Sequence, residues 1–282
     1  MSKLLVTPEW VNTGLARDDV KVVDASWYLP AQNRNAMAEY AAGHIPGAVY
    51  FDIDAIADQK TDLPHMLPDA AAFAKAAGAL GLSDTDTIIV YDGLGLFSAP
   101  RVWWTLRVFG AKDVRILNGG FPAWTRAGLP TVAGWPNPTP AQFDARIEPN
   151  ATIDYAAVLA LLPDRATSIV DARPAARFAG EAPEPRPGLR SGHMPGSRNL
   201  PFDRLHDENG ELVDAATIRA VFEEAGVNLD QPLVTTCGSG VTAAVINLAL
   251  AAIGKEDVTL YDGSWAEWGA RDDAPIKKTD PE

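Results

Sequence analysis

The chain has 282 residues, 47% hydrophobic and 22% charged, the balance of a protein that buries substantial cores. That length exceeds one ordinary core and suits two domains of about 130 to 140 residues. Lys and Arg total 24 against 37 Asp and Glu, a formal charge of −13, which argues against nucleic acid or an anionic membrane as partner.

Taken from the start, MSKLLVTPEWVNTGL has neither a long apolar run nor the pattern of a signal peptide, so the cytoplasm is the expected compartment. Short β-branched runs then alternate with alanine- and leucine-rich segments. VVDASW (22–27), AGHIPGAVYFDID (42–54), IIVYDG (88–93) and VRILNGGFPAW (114–124) follow one another in the first half. Each returns in the second: IVDARP (169–174), SGHMPGSRNLPFDRL (191–205), PLVTTCG (232–238) and VTLYDGSWAEW (258–268), at offsets of 144 to 149 residues. Two copies at that period are two tandem domains, not a solenoid. Residues 133–152 separate them, and prolines 136, 138, 140 and 149 preclude a helix there, so the segment reads as an extended linker. The organisation expected is a first domain at 1–135, a Pro-rich linker at 136–150 and a second domain at 151–282.

Within the second copy, SIVDA, PLVTT and DVTLY read as buried strands, because they are continuous apolar runs bounded by turn residues. TIRAVFEEAG reads as a helix capped by Thr217 and ended by Gly226, and residues 241–253 as a second helix, apolar nearly all round and therefore buried. Strands alternating with helices give an α/β fold, a mainly parallel sheet with helices on both faces in each copy.

Cys237, in TTCGSGVTAA, is the only cysteine, which excludes an internal disulfide; no Cys/His cluster has zinc-site spacing, and no metal or organic cofactor is expected. A lone cysteine is ordinarily a small buried hydrophobe. This one stands between the end of a strand and the start of a helix, where ligands bind in open α/β sheets. Gly238 and Gly240 allow a sharp turn whose amides, with the helix N-terminus, can face a negative charge and favour a thiolate. The first copy has Asp92 at the matching place, so only the second can run thiol chemistry. A Cys-x5-Arg phosphatase loop is excluded, because the position six residues after the cysteine is Ala243.

The loop CGSGVTA, with GHMPG and IVDAR before it and DASWYLP, GHIPGA, HMLP, SAPRVWW, LNGGFPAW and YDGSWAEW in their places, resembles the two-domain rhodanese superfamily over residues 5 to 270. The resemblance implies a tandem pair of rhodanese-like domains, the first non-catalytic and the second catalytic. Within that superfamily the sequence Cys-Gly-Ser-Gly-Val-Thr is similar to the loop of 3-mercaptopyruvate-using members, whereas thiosulfate-using members tend to carry Arg and Lys after the cysteine. The resemblance therefore implies transfer of sulfur from 3-mercaptopyruvate through a Cys237 persulfide to a thiol such as thioredoxin or a low-molecular-weight thiol, or to cyanide, with release of pyruvate. It implies that Gly238, Gly240, Val241 and Thr242 cradle the sulfur, that Arg177 and Arg186 bind the substrate carboxylate, and that Ser239, His65 and Asp54 relay protons, the last two from the first copy. Leu63 and Pro64 precede His65, where the family often has an acidic or polar residue. A thiosulfate sulfurtransferase and a non-catalytic persulfide carrier are the alternatives. His44 and His193 recur in both copies, one without the nucleophile, so a structural role is expected for them.

Overall fold

In the computed structural model residues 3–163 and 166–279 are described, and they divide into two compact units. The first comprises residues through Gln59, Leu67–Glu148 and His206–Leu212; the second comprises Lys60–Met66, Pro149–Leu205 and residues from Val213 onward. Each unit thus takes in a short segment from the other half of the sequence.

The first unit carries strands β1 (Leu5–Val6), β2 (Val20–Asp24), β3 (Val49–Tyr50), β4 (Thr87–Tyr91) and β5 (Asp113–Leu117) in the spatial order β1-β5-β4-β2-β3. The second repeats it with β6 (Thr152–Ile153), β7 (Ser168–Asp171), β8 (Arg198–Asn199), β9 (Leu233–Thr236) and β10 (Val258–Tyr261), ordered β6-β10-β9-β7-β8. Every strand pair in both sheets is parallel, which requires a crossover between successive strands and explains the strand–helix alternation of the sequence. The central strands are buried along nearly their whole length, as expected of parallel strands in an α/β protein.

The two cores repeat in detail. Val22, Ile89 and Trp124 centre the first; Ile169, Val234 and Trp268 centre the second. Trp124 Nε1 donates to Pro130 O at 2.9 Å, and Trp268 Nε1 donates to Pro275 O at the same distance. Helix Ala243–Ala252 is buried from Ala243 through Leu250, so its all-apolar character is explained by enclosure. Its one amide side chain, Asn247, accepts the Thr235 hydroxyl at 2.7 Å, which satisfies the carbonyl inside the core. No helix among the described residues is long and apolar enough to cross a membrane.

Two local expectations need correction. Helix Ala215–Glu224 is capped by Asp214, whose carboxylate accepts the Thr217 N–H at 2.8 Å; Thr217 is the residue being capped, not the cap. The expected linker, 136–150, contains no helix, but most of it belongs to the first unit, which extends to Glu148. Ala141 N–H bonds Gly78 O, Arg146 N–H bonds Phe109 O, and buried Phe143 meets Phe73 edge-on, all within the first unit. Gly78 has no side chain for a physical reason: a Cβ there would lie 2.5 Å from Ala141 O.

Candidate active site

Strand β9 delivers Cys237 at its carboxyl end, and the chain turns through Gly240 (φ +79°) into helix Ala243–Ala252. The cysteine is 2% exposed, and its backbone is held on both sides. Its N–H donates to Ser264 Oγ at 3.3 Å, and its carbonyl accepts the Trp265 N–H at 2.9 Å. The next carbonyl, of Gly238, accepts the Ala266 N–H at 3.0 Å. Ser264 was not singled out from the sequence. It is fully buried, has φ +50°, and its own hydroxyl donates to Tyr261 O at 2.9 Å. A positive φ at a buried non-glycine residue is costly and points to a required contact, here the one to the cysteine's amide. The signal that could have found it is in the duplication, because the matching first-copy residue is Gly120, with φ +57°.

The first unit shows what such a loop does with an anion. The Asp92 carboxylate accepts from Leu94 and Gly95 through Oδ1, and from Phe97, Ser98 and Ala99 through Oδ2, all at 2.7–2.9 Å. Five amides converging on one carboxylate make a concave anion site. In the first unit the chain's own side chain fills that cradle. The second unit has a thiol there instead, which is neutral when protonated. Gly238, Gly240, Val241 and Thr242 lie in this loop as the sequence suggested.

His65 lies in the first half of the sequence, yet it packs in the second unit, within Lys60–Met66. It is 4% exposed with φ +63°, and its Nδ1 stands 3.0 Å from Ser239 Oγ and 3.3 Å from Ser239 O. Ser239 is itself buried, two residues from the thiol. The hydroxyl can donate to a bare Nδ1 or accept from a protonated one, so a proton can pass either way. Asp54 belongs to the first unit, on the short helix Ile53–Ile56, and its carboxylate accepts the Trp27 indole N–H at 2.9 Å.

Arg177 sits on the five-residue helix Ala175–Ala179 and reaches the cysteine loop. A Cβ on Gly238 would stand 3.2 Å from its Nη2, so a side chain directly after the cysteine would press on the guanidinium. The guanidinium is bound by Glu184, whose other oxygen takes Arg173 Nη1 at 2.8 Å. Arg173 is buried against Asp171, donates to Gly192 O at 2.8 Å and lies 4.0 Å over the Trp265 ring. Sequence reading missed Arg173 and Glu184. Arg186 is half-buried two residues beyond Glu184, between Pro185 and Pro187.

The paired histidines are structural. His44 exchanges backbone bonds with Val132, gives its Nδ1 to Tyr40 O at 2.9 Å and stacks on Tyr40; His193 repeats each contact with Lys277, Phe178 O at 2.8 Å and Phe178. Burial is the main cause that holds the His193 imidazole below its ordinary pKa, so it stays neutral near pH 7.

Known proteins resemble this chain over nearly its whole length. The Rhodanese-like domain family matches residues 7–127 and again 154–271. A 3-mercaptopyruvate sulfurtransferase of Escherichia coli (strain K12) is 45% identical over 96% of this chain and 97% of its own length. A thiosulfate sulfurtransferase of Cricetulus griseus is 42% identical over 94% of this chain and 92% of its own. The crystal structure of an Escherichia coli 3-mercaptopyruvate sulfotransferase, 43% identical, superimposes with a TM-score of 0.86 over 93% of this chain and 98% of that one. With two matched domains covering most of its length, the chain belongs to the rhodanese family.

Proposed function

We propose that the chain is a 3-mercaptopyruvate sulfurtransferase whose second unit is the catalytic domain. The observation that carries the reading is a single thiol at the carboxyl end of β9, in a loop with a histidine-bonded serine and no cation at the two positions after it. Thiosulfate is a dianion whose leaving sulfite calls for cations beside the thiol. Gly238 and Ser239 supply none. A substrate with one carboxylate is served instead by the planar, bidentate donors of a guanidinium, the role we assign to Arg177 and Arg186.

In the first half-reaction the Cys237 thiolate attacks the substrate sulfur. The new S–S bond forms as the substrate C–S bond breaks, and its electron pair leaves as the enolate of pyruvate. The substrate S–H proton, relayed through Ser239 Oγ and His65, reaches the enolate carbon and completes pyruvate. The amides of Gly238 through Thr242 hold the outer persulfide sulfur, as the matching loop holds Asp92. In the second half-reaction an acceptor thiolate takes that sulfur and Cys237 leaves as thiolate. The acceptor is a thiol, of a protein such as thioredoxin or of a small molecule. Asp54 and Arg186 keep their relay and carboxylate-binding roles in this proposal on the resemblance alone.

The thiosulfate reading is favoured by the named activity of some relatives. The ratio of kcat/KM for the two donors decides between them: mercaptopyruvate is expected to exceed thiosulfate by more than tenfold, and a preference for thiosulfate refutes the argument from Gly238 and Ser239. Cys237→Ser should abolish transfer from both.

A further inference from the structure

Arg177 reaches within 3.2 Å of the place of a Cβ on Gly238, the residue after Cys237, but its charge is not free to act. Glu184 is enclosed, with 1% of its side chain exposed, and it divides its two oxygens between Arg173 and Arg177. Arg173 is in turn held by Asp171, by Gly192 O and by the Trp265 face, so the glutamate is anchored to a buried partner. The four groups Asp171, Arg173, Glu184 and Arg177 sum to zero formal charge. One donor of Arg177, Nε, is buried and meets no acceptor among the described residues, while the side chain as a whole is 19% exposed.

The first unit supplies an internal comparison. There Arg34 lies 3.4 Å from the place of a Cβ on Gly93, the glycine after Asp92, and is paired with Glu39. That glutamate side chain is 41% exposed, and its second contact is the Tyr28 hydroxyl at 2.8 Å rather than a second arginine. Solvent screens such a pair, whereas the enclosed Glu184 acts at close range in a dry surround.

We infer that Glu184 is a specificity-determining residue: by binding Arg177 it cancels that cation's field at Cys237 and turns the site against dianionic sulfur donors. Arg177 is left to orient a monocarboxylate by hydrogen bonding rather than to attract by net charge. The inference rests on the proposed roles of Cys237 and Arg177, and its test is read partly without any sulfur donor.

Glu184→Gln keeps the shape and the bond to Arg173 and adds one net positive charge. The rates at which Cys237 is alkylated by anionic iodoacetate and by neutral iodoacetamide are compared at one pH. The ratio of iodoacetate to iodoacetamide is expected to rise roughly threefold to tenfold, the effect of one added charge at this range, and to fall back with added salt. The kcat/KM ratio of thiosulfate to mercaptopyruvate should rise by a similar factor in Glu184→Gln, and the double variant Glu184→Gln/Arg177→Gln should return the iodoacetate-to-iodoacetamide ratio to that of the parent. A merely structural glutamate would change both alkylating agents alike, so an unchanged reagent ratio overturns the inference. Should Glu184→Gln fail to fold, Arg177→Gln leaves Glu184 as a net anion and must lower the same ratio; no change there also overturns it. An altered reagent ratio with no sulfur transfer from either donor would instead sink the proposed function and leave the electrostatic claim standing.

Discussion

Ser264 offers a test in which the structure predicts the opposite sign from ordinary helix propensity. It is the first residue of helix Ser264–Trp268, where alanine normally outranks glycine by about 1 kcal/mol. Here, however, φ is +50°, and a left-handed backbone costs an L-residue roughly 1–2 kcal/mol that glycine does not bear. Both Ser264→Ala and Ser264→Gly remove the hydroxyl that takes the Cys237 N–H and bonds Tyr261 O. Each loss of a buried partner costs about 1–3 kcal/mol, so both variants are less stable than the parent. Glycine recovers the strain but adds about 0.5–1 kcal/mol of chain entropy to be lost on folding. The net expectation is Ser264→Gly more stable than Ser264→Ala by roughly 0.5–1 kcal/mol, the difference of those two figures. Urea midpoints followed by tryptophan fluorescence give the order. Equal midpoints, or a more stable alanine variant, would refute the claim that Ser264 is held in strain to fix the cysteine's amide.

Asp92→Ala strips five amides of their acceptor and should destabilise the first unit by at least about 3 kcal/mol; a loss under 1 kcal/mol in urea unfolding would contradict the cradle. His65→Ala is expected to lower kcat for mercaptopyruvate by roughly a hundredfold or more with KM little changed, and a kcat within twofold of the parent removes His65 from the relay. Asp24 is buried in the first unit, and desolvation is the main cause raising its pKa to about 6. A carboxyl whose pKa is higher folded than unfolded binds its proton more tightly in the native state. Its contribution is therefore favourable at low pH and is lost as pH rises from about 4 to about 6, a change of roughly 3 kcal/mol. Asp24→Asn should remove that dependence; if the stability difference between parent and variant is the same at pH 4 and pH 7, the buried carboxylate is not charged at a cost.

The duplication was legible because parallel strands are short continuous apolar runs and because GHIPG and GHMPG punctuate the same place in each copy. The cysteine loop was legible for the same reason: β9 ends on a glycine-rich turn whose residue types have few other uses. Harder to read were contacts made by loops across space. Glu184 and Arg173 lie eleven residues apart in a segment without periodicity, so nothing local announces that Arg173 and Arg177 share the Glu184 carboxylate. His65 was expected from the first domain, and the chain instead carries it into the second unit. Thr217 looked like a cap because it opens the apolar pattern, but Asp214, three residues earlier, provides the acceptor.

The central claim is that Cys237 carries sulfur taken from mercaptopyruvate. Purified protein treated with one equivalent of 3-mercaptopyruvate and no acceptor should gain the mass of a single sulfur atom, located on the peptide containing Cys237, with pyruvate released in equal amount. Unmodified Cys237 together with released pyruvate, or sulfur found elsewhere, would contradict it.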